Sequence, residues 1–187
     1  MAAIVIAVAV LVVLALWAIL IFNRLIRLRN EADRGWANID VQLKRRADLI
    51  PNLVESVKGY EAHERGVFEE VATARTAMQQ ATGPKAAGEA NNLVTQALGK
   101  LFAVSEAYPA LRATENFQKL QDEITDTEDK VAAARNYYNQ TVYQFNSRIQ
   151  SFPTLIVAKC LSFTAREFFA LDNPADAAPV AVSFNKT

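Results

Sequence analysis

The sequence predicts an all-α protein in which an N-terminal transmembrane helix is followed by an antiparallel long-helix bundle of four-helix type. Three observations carry this. Ala3 to Phe22 is an apolar run with no charge, no Gly and no Pro. From Phe117 to Phe152 a large apolar residue returns at every seventh position. Thr82-Gly83-Pro84 and Tyr108-Pro109 punctuate the chain where bundle helices would turn. The expected division is residues 1–22 as anchor, 23–171 as bundle, and 172–187 as a flexible or strand-like tail.

The apolar run comes first. At a rise of 1.5 Å per residue it spans roughly 30 Å, the hydrocarbon thickness of a bilayer. A buried helix of a soluble domain would show polar residues on one face, and this run has none. Only Met1 and Ala2 precede it, whereas Arg24, Arg27 and Arg29 follow directly. Basic residues close to a span stay on the cytoplasmic side. The expected topology is therefore single-pass, with a short N-terminus outside and the bundle in the cytoplasm. A cleaved signal would need a basic n-region and a small-residue cleavage site, and neither is present. Arg24, Arg27 and Arg29 fall at lipid headgroup depth, where each adds about 1 kcal/mol of attraction to anionic lipid.

The next segment, Asn23 to about Ala81, carries Trp36, Ile39, Leu43, Ile50, Leu53, Val54 and Val57 at helical spacing, then Val67, Phe68 and Val71. This is an amphipathic helix continuous with the span. Pro51 lacks an N–H and crowds the Ala47 carbonyl, so a kink or break is expected there. A shorter helix over about Ala86 to Ala107, with Leu93, Val94, Ala97, Leu98, Leu101, Phe102 and Val104, returns antiparallel after the Gly83-Pro84 turn. Thr114 is the expected N-cap of a long helix reaching about Ser151. There Phe117, Ile124, Val131, Tyr138, Phe145 and Phe152 form one heptad row. At roughly 55 Å this helix is too long for the second helix alone to cover, so the first must cover the rest. Thr154 to Leu171 reads as one or two short helices across a bundle end.

Composition narrows the chemistry. Lys plus Arg and Asp plus Glu number 20 each, so no overall positive field exists to hold nucleic acid. A single cysteine, Cys160, excludes an intramolecular disulfide and a Cys-based zinc site; its apolar neighbours suggest a buried thiol. The single histidine, His63, precedes Glu64 but has no second histidine four residues on. Glu61, His63 and Glu64 read as exposed helical surface. No phosphate-binding glycine loop and no nucleophile elbow occurs. No catalytic, cofactor-binding or metal-binding residue is expected.

Four further groups are open to interaction or register roles. Asp122, Glu123, Asp126, Glu128 and Asp129 read as a solvated face with ion pairs to Lys119 and Lys130. Asn136, Asn139 and Asn146 lie among tyrosines and phenylalanine, where amides at a helix seam fix register. Lys44-Arg45-Arg46 would lie about 33 Å beyond Phe22 on a straight helix, out of reach of lipid. That triplet is either ordinary surface or a partner-docking patch. In the tail, Val180, Val182 and Phe184 alternate like a strand, which is either a disordered terminus or a strand that pairs with a neighbouring chain.

The run from Arg34 to Tyr60, RGWANIDVQLKRRADLIPNLVESVKGY, followed by His63-Glu64, resembles the bacterial LemA family. So do EAYPALR from Glu106 to Arg112, Glu115-Asn116-Phe117, RNYYN from Arg135 to Asn139, YQFN from Tyr143 to Asn146, and IQSFP from Ile149 to Pro153. The resemblance covers nearly the whole chain. It departs at Ala110-Leu111-Arg112, where the family often has Asp-Leu-Lys, and at Ser162-Phe163, where Gly-Phe is common. It implies a membrane anchor before an antiparallel bundle, no established enzymatic activity, and the same topology as above. Family neighbourhoods often include membrane metalloproteases and other envelope proteins, and one relative belongs to the magnetosome system.

The expected function is that of a non-enzymatic scaffold or adaptor at the bacterial inner membrane, acting through self-association as a homo-oligomer and through partner binding. The alternative is a regulatory subunit of an envelope metalloprotease or stress system. Membrane lipid is an expected partner in both; no cofactor and no nucleic acid is.

Overall fold

A computed structural model describes residues 1–58 and 65–169. Glu61, His63 and Glu64, and the tail residues Val180, Val182 and Phe184, lie outside the described residues. Among those described the protein is all-helical. The helices are α1 (Ala2–Lys58), α2 (Arg65–Gln80), α3 (Pro84–Ser105), α4 (Pro109–Arg112), α5 (Glu115–Gln150) and α6 (Thr154–Cys160).

One helix, α1, contains both the apolar run and the first rod of the bundle. It is 57 residues long, about 85 Å at helical rise. Its apolar window is long enough to cross a membrane, and none of that window is buried against the rest of the chain. From Leu25 onward its inner face is core: Leu25, Ala32, Ile39, Leu43, Ile50, Leu53 and Val57 are all buried.

The helices run down, up, down and up. Leu25 meets Phe145 and Ile149 in one buried cluster, the Trp36 and Tyr138 rings lie 6.1 Å apart, and Arg46 reaches Glu128. Each step along α1 is thus matched by an opposite step along α5, which makes the pair antiparallel. The α2–α3 hairpin completes the bundle, closed by Lys100 Nζ on Glu70 at 2.6 Å. The turn between them uses Gly83 at φ 86°, a left-handed conformation that favours glycine, and Pro84 sits in the first turn of α3. The core is continuous from Ala32 down to Leu111 and Phe117.

Of the two outcomes expected at Pro51, a kink or a break between two helices, the break does not occur: α1 is helical through Pro51 to Lys58. The compensation is specific. Arg75 of α2 donates from Nε to the Ala47 carbonyl at 3.0 Å, the acceptor that Pro51's missing N–H leaves unused. Arg75→Ala is therefore expected to destabilise the bundle by about 1–2 kcal/mol, measured by denaturant unfolding of the full chain in detergent. In a Pro51→Ala background, where the N–H is restored, the same change should cost clearly less. Equal costs in both backgrounds would refute the substitution of one donor for another.

Three other expectations are corrected. Thr114 occupies the N-cap position of α5 without a side-chain cap; its hydroxyl donates back to the Leu111 carbonyl at 2.7 Å, because α4 brings that carbonyl within reach. Phe152 drops out of the heptad row, since α5 ends at Gln150 and the ring is 80% exposed. Cys160 is exposed rather than buried, because Ala158 takes the inward face of α6.

Candidate functional site

The basic triplet divides between surface and core. Lys44 and Arg45 are exposed; Lys44 bonds Asp40 one turn earlier, and Arg45 lies 3.8 Å from Asp126. Arg46 is 0% exposed and is the largest fully buried side chain among the described residues. It is therefore removed from any partner-docking patch. The reason lies in helical spacing: Ile39, Leu43, Arg46, Ile50, Leu53 and Val57 alternate steps of four and three, so Arg46 stands in the inward-facing row.

Two other helices supply its partners. Arg46 Nη1 donates to Asn91 Oδ1 at 2.8 Å and to Thr95 Oγ1 at 3.1 Å, both on α3. Nη2 donates to Glu128 Oε2 on α5 at 3.2 Å. Burial lowers the guanidinium's pKa, and the Glu128 carboxylate partly restores it. This node ties α1, α3 and α5 at one level. It pairs no nucleophile with a base, and its chemistry is that of a register lock. Asp126 belongs to the neighbouring surface, where Lys130 Nζ reaches it at 2.7 Å.

After α6 the chain runs back along α5 over residues 163–169, and here the asparagines act. Asn146 donates from Nδ2 to the Arg166 carbonyl at 2.9 Å and accepts the Arg166 N–H at 2.8 Å. Asn139 treats Phe169 the same way, at 3.2 and 3.0 Å. Tyr138 OH donates to the Glu167 carbonyl at 2.8 Å. Each side-chain amide thus stands in for a neighbouring backbone strand. The expectation of amides at a helix seam is corrected to amides holding a backbone strap; Asn136 is exposed. The strap is fastened to α1 by Arg166 Nη2 on Asp33 at 2.7 Å.

Burial pushes the Tyr138 phenol up to about 12; nearby Arg166 opposes this, while Asp33 and Glu167 add to it. A phenol whose folded pKa lies above its unfolded value near 10 contributes stability that is complete below about pH 10 and is lost towards pH 12. Wild type is expected to lose stability relative to Tyr138→Phe across that window. Parallel unfolding curves for the two from pH 9 to 12 would contradict this.

At the upper end of the bundle, Leu25, Phe145, Ile149 and Ala158 form a second buried cluster, with Ile21, Leu28 and Phe163 packed on it. Arg24, Arg27 and Arg29 are exposed on α1 at this level. Arg29 edges a cleft of about 600 Å³ whose walls include Phe22, Phe145, Leu161 and Arg166. A second cleft, about 590 Å³, lies along the α2–α3 hairpin beside Leu93, Ala97 and the Glu70–Lys100 pair. Among the described residues, no group of three or more His, Cys, Asp or Glu is placed to hold a metal ion.

The sequence of this chain has counterparts in known proteins. A family model described as the LemA family matches residues 35–184. Magnetosome protein MamQ 1 of Paramagnetospirillum magneticum is 25% identical over 92% of this chain and 74% of its own length. Magnetosome protein MamQ of Magnetospirillum gryphiswaldense is 24% identical over 85% of this chain and 68% of its own. Protein LemA of Metamycoplasma hominis is 28% identical over 74% of this chain and 64% of its own.

Proposed function

The chain belongs to the LemA family, and from that premise we propose a non-enzymatic, membrane-anchored scaffold or adaptor at the bacterial inner membrane. The observation that carries this reading is the continuity of α1. The same helix holds an apolar window of which no part is buried and the inner face on which α5 packs. A bundle built on such a rod is mounted on the bilayer without a flexible linker. Its surfaces are then confined to one plane, where local concentration rises and weak lateral contacts suffice for assembly.

The finer features follow from residues. Arg24, Arg27 and Arg29 are exposed just past the apolar run, which favours a cytoplasmic bundle and an outward N-terminus and gives anionic headgroups a partner. The exposed pair Lys44 and Arg45 is the contact surface available for a second copy of the chain or another envelope protein. Cross-linking in intact membranes at native expression tests self-association: a ladder of homo-oligomers supports it, and monomer alone refutes it. A metalloprotease recovered in stoichiometric amount from solubilised membranes would favour the regulatory-subunit reading instead. Protease accessibility in sealed vesicles tests the topology.

A further inference from the structure

We propose that the α5–α6 corner is a second membrane contact, with Phe152, Ile156 and Leu161 seated in the interfacial layer of the bilayer that α1 spans. This rests on the membrane reading of α1 and adds to it a statement about how the bundle is held.

Depth is the first argument. If the hydrocarbon ends near Phe22, Leu25 lies only about 4.5 Å beyond it, inside the headgroup layer. Ala158 of α6 is buried in the same cluster as Leu25, with Ile21 against it. α6 is therefore held near headgroup depth by contacts with α1 itself. α5 runs towards the membrane at this end, and Phe152 lies three residues past Ile149, a member of that cluster. The chain thus brings Phe152 to the hydrocarbon boundary.

Exposure is the second. Phe152 is 80% exposed, Ile156 54% and Leu161 51%. Three large apolar side chains are exposed within ten residues at this one end of the bundle, whereas Val41 and Leu93 stand singly on the bundle wall. Water is a poor environment for such side chains, and the adjacent lipid is a good one.

Charge is the third. Lys159 is exposed on α6, and the exposed Arg29 of α1 lines one cleft with Leu161. Apolar side chains accompanied by basic ones are the pattern of segments that lie in an anionic interface. A single spanning helix leaves the bundle free to swivel about its axis, and a second contact sets which face lies down on the bilayer.

The test uses the full-length chain in vesicles of phosphatidylethanolamine and phosphatidylglycerol. Cys160→Ser removes the native thiol, and a nitroxide is placed by Phe152→Cys, Ile156→Cys, Leu93→Cys or Val12→Cys, all exposed positions. Relaxation by oxygen, which concentrates in lipid, is compared with relaxation by a water-soluble nickel chelate. Labels at 152 and 156 are expected to respond more to oxygen than to nickel, less strongly than the label at 12, while the label at 93 shows the reverse. If 152 or 156 behaves like 93, or if 93 also responds as a lipid site, the second contact is overturned. A label at 12 that behaves as aqueous overturns the membrane reading instead.

Discussion

Glu128→Ala is expected to lower bundle stability by about 2–3 kcal/mol, somewhat less than the roughly 3–5 kcal/mol for breaking a fully buried ion pair. Arg46 is wholly enclosed, whereas Glu128 is 48% exposed at its side chain, so water offsets part of the loss. For a domain of this size the change corresponds to a fall of roughly 5–10 °C in the unfolding midpoint. The cause is specific: Glu128→Ala leaves a cation in the core with only Asn91 and Thr95 as partners. Arg46→Met combined with Glu128→Ala removes the charge and keeps the stem's volume. The double variant should therefore regain most of the loss and lie within about 1 kcal/mol of wild type. Thermal unfolding of the single and double variants measures both. A silent Glu128→Ala, or a double variant less stable than it, would show that the node does not work through charge.

Removing both strap amides, Asn139→Ala with Asn146→Ala, is expected to cost about 2–4 kcal/mol, near 1 kcal/mol for each hydrogen bond lost. The Arg166 and Phe169 amides should lose protection from hydrogen exchange, because each donates to an asparagine oxygen. Core amides of α1 and α5 should stay slow in exchange. Asn136→Ala, at an exposed position, serves as the control and should change neither reading. Unaltered protection at Arg166 and Phe169 in the double variant would mean that the rings of Phe163 and Phe169, not the amides, hold the strap.

The geometry behind the strap was half visible in the sequence. Asn139 and Asn146 are seven residues apart, two helical turns and about 10.5 Å on one face of α5. Arg166 to Phe169 is three residues, about 10 Å when extended. The two spacings match, yet only the first has a periodic signature. Phe163 to Phe169 alternates in no regular way, so nothing local marked it as the partner.

Arg46 shows the same division. Its place in the row from Ile39 to Val57 is legible in the sequence, but its charge argues for solvent, and the flanking Lys44 and Arg45 made a surface triplet the natural reading. Burying a guanidinium requires acceptors. These come from Asn91, Thr95 and Glu128 on two other helices, which only the assembled bundle brings to one level. Pro51 is parallel: its missing donor was foreseeable, and the donor from Arg75 was not.

The sequence by itself determined what repeats along the chain: the apolar run, the helical rows, the turns at Gly83 and Tyr108, and the family resemblance. Periodicity is a local property, and each turn of helix states it again. The tertiary structure decided what meets across the chain: which arginine is buried, what the asparagines hold, and which apolar residues stay outside at the upper end. Those outcomes depend on polar groups finding partners tens of residues away, and no local pattern encodes a partner at that distance.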